Sequence, residues 1–576
     1  MQGALISQYL LLLITFGHLL SSSAHPILGG YSTKESDTTP DVTSLGDAEL
    51  DEYHLTKPTK CGHQYLEDSQ KGSGATVVKI THSLSTGGLS SADSRNLQSG
   101  LSYGTMTIKF DYEQIDKMLE SSKPLFFARY FIIKKNLEKV RSYITAYFKV
   151  LKLGVKKLPA IKCQGYDIPS TDFEEDLFIT VFGQYNTQST YYAAASTCGR
   201  SSVTNQAVVG IFIFNLPYMG ITVQDDFAGF GTFLHEFFHI LGFSATIFRG
   251  FPVPVTTGGS WLSTSYLANM TIDSVQFTVL TEPTVLAAAR DHFGCQTLGG
   301  IPLENKGLSG TATNHYEKTF FGTEIMNPTV EFSVRISPIT VAYFQATKWY
   351  QVDTSASQDW TFGKNKGCDF LRVSPRATNQ PEFCPATSNL QRVCSADFAS
   401  KSICAASSSY IDGDLLLKIG TRTFCDTGYS FDEPTKLSFE SFSSTSGCFE
   451  YLQTSSTTSQ PVCLESRCLS DGSLQIILPD STPLLCKSQS DLLTISQGTI
   501  RCPDVSSYCS LLSARCTNEC LRDANGVCGK QGKCFCFFGQ PDSQTGRCPE
   551  YSLSSSGPLL AAAFYLWFVA VSHSVL

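Results

Sequence analysis

No stretch of this chain concentrates positive charge, and none of its apolar runs is long. Lysine and arginine together number 43 against 51 aspartates and glutamates, a formal charge of −8 spread over 576 residues with neither a basic stripe nor an acidic tail. A nucleic-acid partner is therefore not expected, because such a surface needs clustered cations. Charged residues are sparse at 16%, against 42% hydrophobic, the balance of a folded chain and not of a disordered one. A membrane-spanning helix needs about 20 apolar residues. The two candidate runs, Leu10–Phe16 and Leu559–Val571, are both shorter. Histidine is scarce as well, with ten in the whole chain, and that limits where imidazole ligands for a metal could come from.

What is present in quantity is cysteine. There are 21, dense after Cys368, which points to an oxidising compartment and a disulfide framework. The two apolar runs agree with passage through the secretory pathway. Leu10–Phe16 is followed by Ser21-Ser22-Ser23-Ala24, so residues 1–24 have the pattern of a signal peptide cut after Ala24, although no basic residue precedes the run. Leu559–Val571 follows Ser554-Ser555-Ser556-Gly557 and leaves five residues to the end; 551–576 is expected to be a lipid-anchor signal, with a short single-pass anchor as the alternative. The expected location is extracellular or at the cell surface, with the membrane as a partner through this C-terminal anchor.

A chain of this length divides into two to four units. Residues 25–100 are polar and rich in Ser, Gly and Thr, with Ser85-Thr86-Gly87-Gly88 typical of a linker. Thr107–Tyr112 alternates as a strand, Leu177–Phe182 and Val208–Phe214 are buried strands, and a long amphipathic helix is expected at about 134–153. The basic residues Lys134-Lys135 through Lys156-Lys157 have apolar residues at helical spacing between them, the pattern of a solvated helix face. A further helix at about 225–241 stops at Gly242. Beyond Cys368 the chain is loop-rich. Its last unit has cysteines at 516, 520, 528, 534, 536 and 548, and the Cys528-x5-Cys534-x-Cys536 spacing resembles an EGF-like module.

The helix at 225–241 carries the chemistry. It reads His235-Glu236-Phe237-Phe238-His239, and residues four apart share a helix face, so His235 and His239 can both aim a nitrogen at one ion. Glu236 sits on the same turn, placed to handle the proton of an attacking water. The bland alternative is a buried helix that happens to hold two histidines and a glutamate, but three ionisable groups among Phe230, Phe233, Leu234, Phe238, Ile240 and Leu241 are costly without a partner. A catalytic zinc takes three protein ligands and keeps a fourth position open. Of the ten histidines, only His235, His239, His292 and His315 lie in the expected catalytic body, so the third ligand is His292 or His315 unless an acidic residue replaces it.

Asn314-His315-Tyr316-Glu317-Lys318, followed by Glu324-Ile325-Met326-Asn327-Pro328, resembles the leishmanolysin family of zinc metalloproteases, as does Ala193–Cys198 with Val209–Asn215. The resemblance spans roughly residues 50–550. Many related metzincins place the third histidine where Ala245 stands here; in leishmanolysins an insertion intervenes. The resemblance implies an α+β chain: a metzincin-like catalytic domain at 101–365, a twisted mixed sheet with a zinc helix, then a disulfide-rich, mostly β or loop region at 366–510 and the EGF-like module at 511–550. It implies one zinc ion per chain with His315 as third ligand, Met326 in the methionine turn beneath the metal, and His292 as a structural or cleft residue in the insertion. It further implies a propeptide at 25–100 whose Cys61 covers the open zinc position. Without Cys61 the cysteines number twenty, an even set, with Cys163–Cys198 expected as a pair. The expected activity is endopeptidase cleavage of proteins; the alternative is a surface adhesion protein acting through the EGF-like module. Asn269-Met270-Thr271 is a glycosylation acceptor by pattern.

Overall fold

Short runs of β-branched and aromatic residues build the first half of the chain into a mixed sheet. The computed structural model of the chain describes residues 77–83, 101–118 and 124–551, apart from 188–190, 221–222, 255–260, 308–309, 330–333, 375–379, 389, 406–409, 414, 429–436, 490, 514, 517 and 522–523. The expected signal segment, Cys61 and the C-terminal apolar run lie outside the described residues. The sheet contains Val78–Ser83 (β1), Ile108–Asp111 (β2), Val155–Leu158 (β3), Thr171–Phe173 (β4), Leu177–Gln184 (β5), Ala193–Ser201 (β6) and Ala207–Asn215 (β7), in the order β2-β5-β7-β6-β1-β3-β4. The β2–β5, β5–β7 and β6–β1 pairs are parallel and the others antiparallel.

β7 explains why the sheet sits between two cores. Its residues alternate faces: Phe212 and Phe214 point into the main core, whereas Val209, Ile211 and Ile213 join a smaller cluster on the other side. On the main-core face lie two long helices, Pro124–Tyr147 (α1) and Val223–Leu241 (α2). α2 approaches β7 closely at Gly210, where a Cβ would come within 2.6 Å of Ile240. Further helices are Pro283–Phe293 (α3) and Pro338–Ala346 (α4). Residues 383–501 form a four-stranded and a six-stranded sheet, both antiparallel. Phe449, Tyr451, Val462, Leu464 and Ile476 give the larger one its own core. The last unit is a hairpin of Gly526–Cys528 (β8) and Cys534–Cys536 (β9). The architecture is α+β, a mixed sheet with few helices followed by a disulfide-rich β region, as expected.

All twenty cysteines from Cys163 to Cys548 pair among themselves, in ten disulfides that include Cys163–Cys198. The main core does not stop at 365. Phe370, Leu371, Phe383 and Phe537 belong to it, and Cys295–Cys368 crosses that line covalently. Among the described residues no helix is long and apolar enough to cross a membrane.

Three expectations from the sequence need correction. α1 begins at Pro124, a residue suited to a first helical position, and ends at Tyr147, because Phe148–Leu151 is a strand paired with Tyr103–Thr105 and Tyr350–Val352. A four-residue apolar run does not reveal by itself whether it continues a helix. The basic stretch is not wholly solvated either. Lys139 and Lys156 are fully buried, Lys139 on an aspartate of α2 and Lys156 donating to the carbonyls of Gly154 and Glu174. Finally, the segment 25–100 is not linker throughout, since it contributes β1. Val78–Ile80 pairs in parallel with Gly199–Ser201, and Thr81–Ser83 pairs antiparallel with Val155–Lys157.

β1 thus joins the β2-β5-β7-β6 part of the sheet to β3-β4, and Ile80, fully buried against Gly199, is its apolar anchor. Ile80→Ala is expected to destabilise the full-length chain by about 2–5 kcal/mol, measured as a lower urea midpoint; an unchanged midpoint would show that the strand contributes nothing to the fold.

Candidate metal centre

α2 is held at both ends. Near its start, Asp226 pairs with Lys135 at 2.7 Å and Lys139 at 2.6 Å and accepts from the Asn136 amide at 2.9 Å, all from α1. Burial pushes the Lys139 ammonium down to about 7, and Asp226 works against that shift. At the other end the chain turns through Gly242, whose φ of 117° lies in the region that disfavours a side chain, and where a Cβ would meet Trp349 at 3.1 Å. The last carbonyls of a helix lack partners within it. Here Thr197 donates to Ile240, Tyr350 to Leu241 and Tyr343 to Gly242.

Between these anchors His235 and His239 project from one face, buried at 7% and 2% exposure. The third member comes from far along the chain. His315, fully buried, is brought in by the segment after Leu303. Asn314 accepts from the Ala245 N–H at 2.8 Å, the Glu304 N–H donates to the His315 carbonyl at 2.9 Å, and the Tyr316 N–H donates to the Met326 carbonyl at 3.0 Å. Ala245 thus helps to seat the neighbour of His315.

Each ring faces a backbone carbonyl with Nδ1: His235 faces Ile325 at 2.5 Å, His239 faces Phe243 at 2.7 Å and His315 faces Thr311 at 3.0 Å. A carbonyl can only accept, so Nδ1 carries the hydrogen and the lone pair of each neutral ring is on Nε2. Those three lone pairs converge. His239 Nε2 lies 3.1 Å from His235 Nε2 and 3.2 Å from His315 Nε2. Nitrogens about 2.1 Å from a tetrahedral zinc would be roughly 3.4 Å apart, so the spacing is close to what such an ion requires. Three lone pairs this close repel one another, and a cation between them reverses the sign of the interaction. The donor set therefore fits a divalent metal.

Glu236 is buried on the same turn as His235, and Met326 is fully buried in the turn whose Ile325 carbonyl orients His235. That turn is fixed by a residue that sequence reasoning did not single out. Glu324 accepts from the Met326 N–H, from both the N–H and the hydroxyl of Ser337, and from the Thr340 hydroxyl. Burial pushes its carboxyl up to about 7 while these donors pull it back. The carbonyl acceptors of Ile325, Phe243 and Thr311 were also missed, since backbone groups leave no mark in a residue pattern; a lone acid two positions before Met326, within an otherwise uncharged run from Thr319 to Val330, was the available signal for Glu324.

His292 lies elsewhere. On α3 it stacks on Trp360 at 4.2 Å, its Nε2 donates to the Phe362 carbonyl at 2.9 Å, and burial pushes its imidazole down to about 4. Among the described residues one other group, Cys520, Cys534 and Cys548, has metal-like spacing, and its sulfurs are used in disulfides. Asn269 is exposed on a strand edge.

The leishmanolysin family (Peptidase_M8) matches residues 152–412, which include all three histidines. Leishmanolysin of Leishmania donovani is 27% identical over 257 residues, 43% of this chain and 41% of that protein. The ciliated left-right organizer metallopeptidase of Xenopus laevis is 28% identical over 206 residues, 35% of this chain and 28% of its own. A leishmanolysin-like peptidase of Caenorhabditis briggsae reaches 39% over 96 residues, 17% and 14% of the two chains. The chain spans 28–41% of the length of the first relatives it matches.

From this geometry, purified His315→Ala is expected to lose bound metal by elemental analysis, whereas His292→Ala keeps it. The reverse pattern would overturn the assignment of the third nitrogen.

Proposed function

We propose that this chain, which carries a leishmanolysin-family region over residues 152–412, is a zinc metalloendopeptidase of the secretory pathway, made as a latent precursor. The observation that carries the reading is the convergence of three imidazole Nε2 atoms from His235, His239 and His315, each locked by a carbonyl on its other nitrogen.

In this reading His235, His239 and His315 hold one zinc ion. Zinc bound there supplies a Lewis acid that polarises the scissile carbonyl and makes a water acidic enough to attack near neutral pH. Glu236 takes the proton of the attacking water as its oxygen bonds to the carbonyl carbon. It then delivers that proton to the leaving nitrogen as the C–N bond breaks. The three Nδ1–carbonyl bonds keep the rings in one orientation, and the apolar surroundings of α2 exclude competing water. Met326 supports the ligand cradle from the turn. Substrates are proteins cleaved near apolar side chains, as the family likeness suggests.

Latency is assigned to Cys61. That the other twenty cysteines pair among themselves supports a thiol left available on Cys61 to cover the open zinc position. A cut near 95–105 would separate the Cys61 arm and β1 together from the catalytic body, so releasing Cys61 requires β1 to leave its two partner strands. Segment 551–576 would act as a lipid-anchor signal, its apolar tail removed and replaced by the lipid that holds the enzyme at a membrane. The adhesion reading is not favoured, because aromatic residues of the C-terminal module are taken up by the catalytic core.

Glu236→Gln is expected to retain zinc and to lose proteolysis by orders of magnitude; a variant that still cuts at the wild-type rate would remove Glu236 from the mechanism. Cys61→Ala is expected to give a precursor active without processing, tested by chelator-sensitive cleavage of a protein substrate, and a silent precursor would sink the latency assignment.

A further inference from the structure

The last unit of the chain, Cys516–Cys548, packs on the metal centre from outside by two separate routes. The first reaches α2. Phe537, 4% exposed, belongs to the main core and lies 4.6 Å, ring to ring, from Phe230, which precedes His235 by five residues on the same helix. Phe535 meets Tyr143 at 5.5 Å and Tyr147 at 5.2 Å on α1, and Lys139, the buried partner of Asp226, sits 5.8 Å over the Phe537 ring. Phe535 of β9 and Phe537 just after it thus face inward, the first onto α1 and the second onto α2, the helix that carries His235 and His239.

The second route reaches the turn that orients His235. The Gln358 amide donates to the Cys528 carbonyl at 2.8 Å, and its Oε1 accepts from the Ile336 N–H at 3.0 Å. The residue before Ile336, Arg335, offers its carbonyl to the Ile325 N–H at 2.8 Å. The Ile325 carbonyl accepts from His235 Nδ1. A disulfide-bonded residue of the module is therefore four hydrogen bonds from a metal-facing imidazole. Beside it, the Gln531 N–H donates to Asp359 at 2.6 Å. Where the two routes meet, Phe230, Leu234, Ile325, Ile336, Val527 and Phe537 enclose a cavity of about 40 Å³, so the helix and the turn touch the same wall of the module.

We propose that the Cys516–Cys548 module is part of the scaffold of the metal centre, with Phe537 and Gln358 as positioning residues that set α2 and the Ile325–Met326 turn against each other. Its three disulfides, Cys516–Cys528, Cys520–Cys534 and Cys536–Cys548, make it a stiff wedge. A stiff wedge holds two elements in register better than their mutual packing alone. This rests on the zinc-peptidase reading and refines it, by assigning a part in metal affinity and turnover to a unit none of whose described residues joins the three-histidine group.

The test uses the full chain. Zinc dissociation constants are measured by chelator competition on Phe537→Ala, Phe537→Leu, Gln358→Leu and Ile476→Ala, with kcat and KM read on the same preparations after processing and thermal unfolding as the check on folding. Ile476 is buried in the separate core of the six-stranded sheet, so its variant reports general destabilisation. Phe537→Ala and Gln358→Leu are expected to weaken zinc binding roughly 10-fold or more, in line with other outer supports of metal ligands, and to lower kcat more than they raise KM. Phe537→Leu should recover most of the loss, and Ile476→Ala should lower the melting temperature without moving zinc affinity. Folded Phe537→Ala with wild-type zinc affinity and kcat would overturn the proposal. If Phe537→Ala does not fold, wild-type affinity in both Phe537→Leu and Gln358→Leu would overturn it equally. A wild-type chain that binds no zinc would instead sink the peptidase reading itself, and this one with it.

Discussion

Three imidazole nitrogens face one another at about hydrogen-bond distance, each on a ring whose hydrogen is already committed to a backbone carbonyl on the other side. In a dry core that arrangement is unfavourable by itself, since lone pairs repel and the rings have left water. The surrounding structure must therefore impose it. The closure of α2 at Gly242, the side chains that satisfy its last carbonyls and the carboxylate of Glu324 under the Ile325–Met326 turn all serve to hold nitrogens where they would not otherwise stay. Binding energy from an ion then offsets a strain prepared during folding.

The same logic explains why so many polar groups are buried nearby. Glu304, Glu317 and Glu324 are fully buried, each carboxyl raised by burial. Each also accepts from backbone N–H groups of the segments that deliver His315 and Met326. A carboxylate with several donors can organise an irregular loop that has no helix or ladder to satisfy its amides. The cost of burial is met because the loop cannot be made regular: it has to present His315, not a periodic face.

Much of the site is legible in the amino-acid sequence alone. The spacing of His235 and His239, the glycine stop at 242 and the shortage of other histidines are local or countable features. What is not legible there is long-range. Whether Phe148–Leu151 continues a helix depends on strands at 103–105 and 350–352. The burial of Lys139 depends on Asp226, 87 residues away. β1 is six residues in a polar segment, and only its partners on both sides make it a strand. The cysteine count shows that pairing is to be expected, but not that the last three disulfides brace the wall behind α2. The spacing of the C-terminal cysteines suggests an independent module, whereas Phe537 ties that unit into the main core.

The position of His315 shows why such bracing is worth having. His235 and His239 are preorganised by a single helical turn, so their mutual placement costs little beyond the helix itself. His315 follows His239 by 76 residues. Closing a loop of that length costs about 4 kcal/mol in chain entropy, and any slack left in it would be taken from metal affinity. The chain removes the slack in stages. Cys295–Cys368 ties α3, inside the insertion, to the chain beyond the turn; Asn314 fastens the approach to His315 at Ala245; Glu324 fixes the turn; and the Gln358 relay joins that turn to the disulfide-braced C-terminal unit. Each stage shortens the free chain between a rigid element and the third nitrogen. A two-histidine helix becomes a three-nitrogen site only when the distant loop is as rigid as the helix, and most of the chain beyond α2 that touches the site contributes to that rigidity.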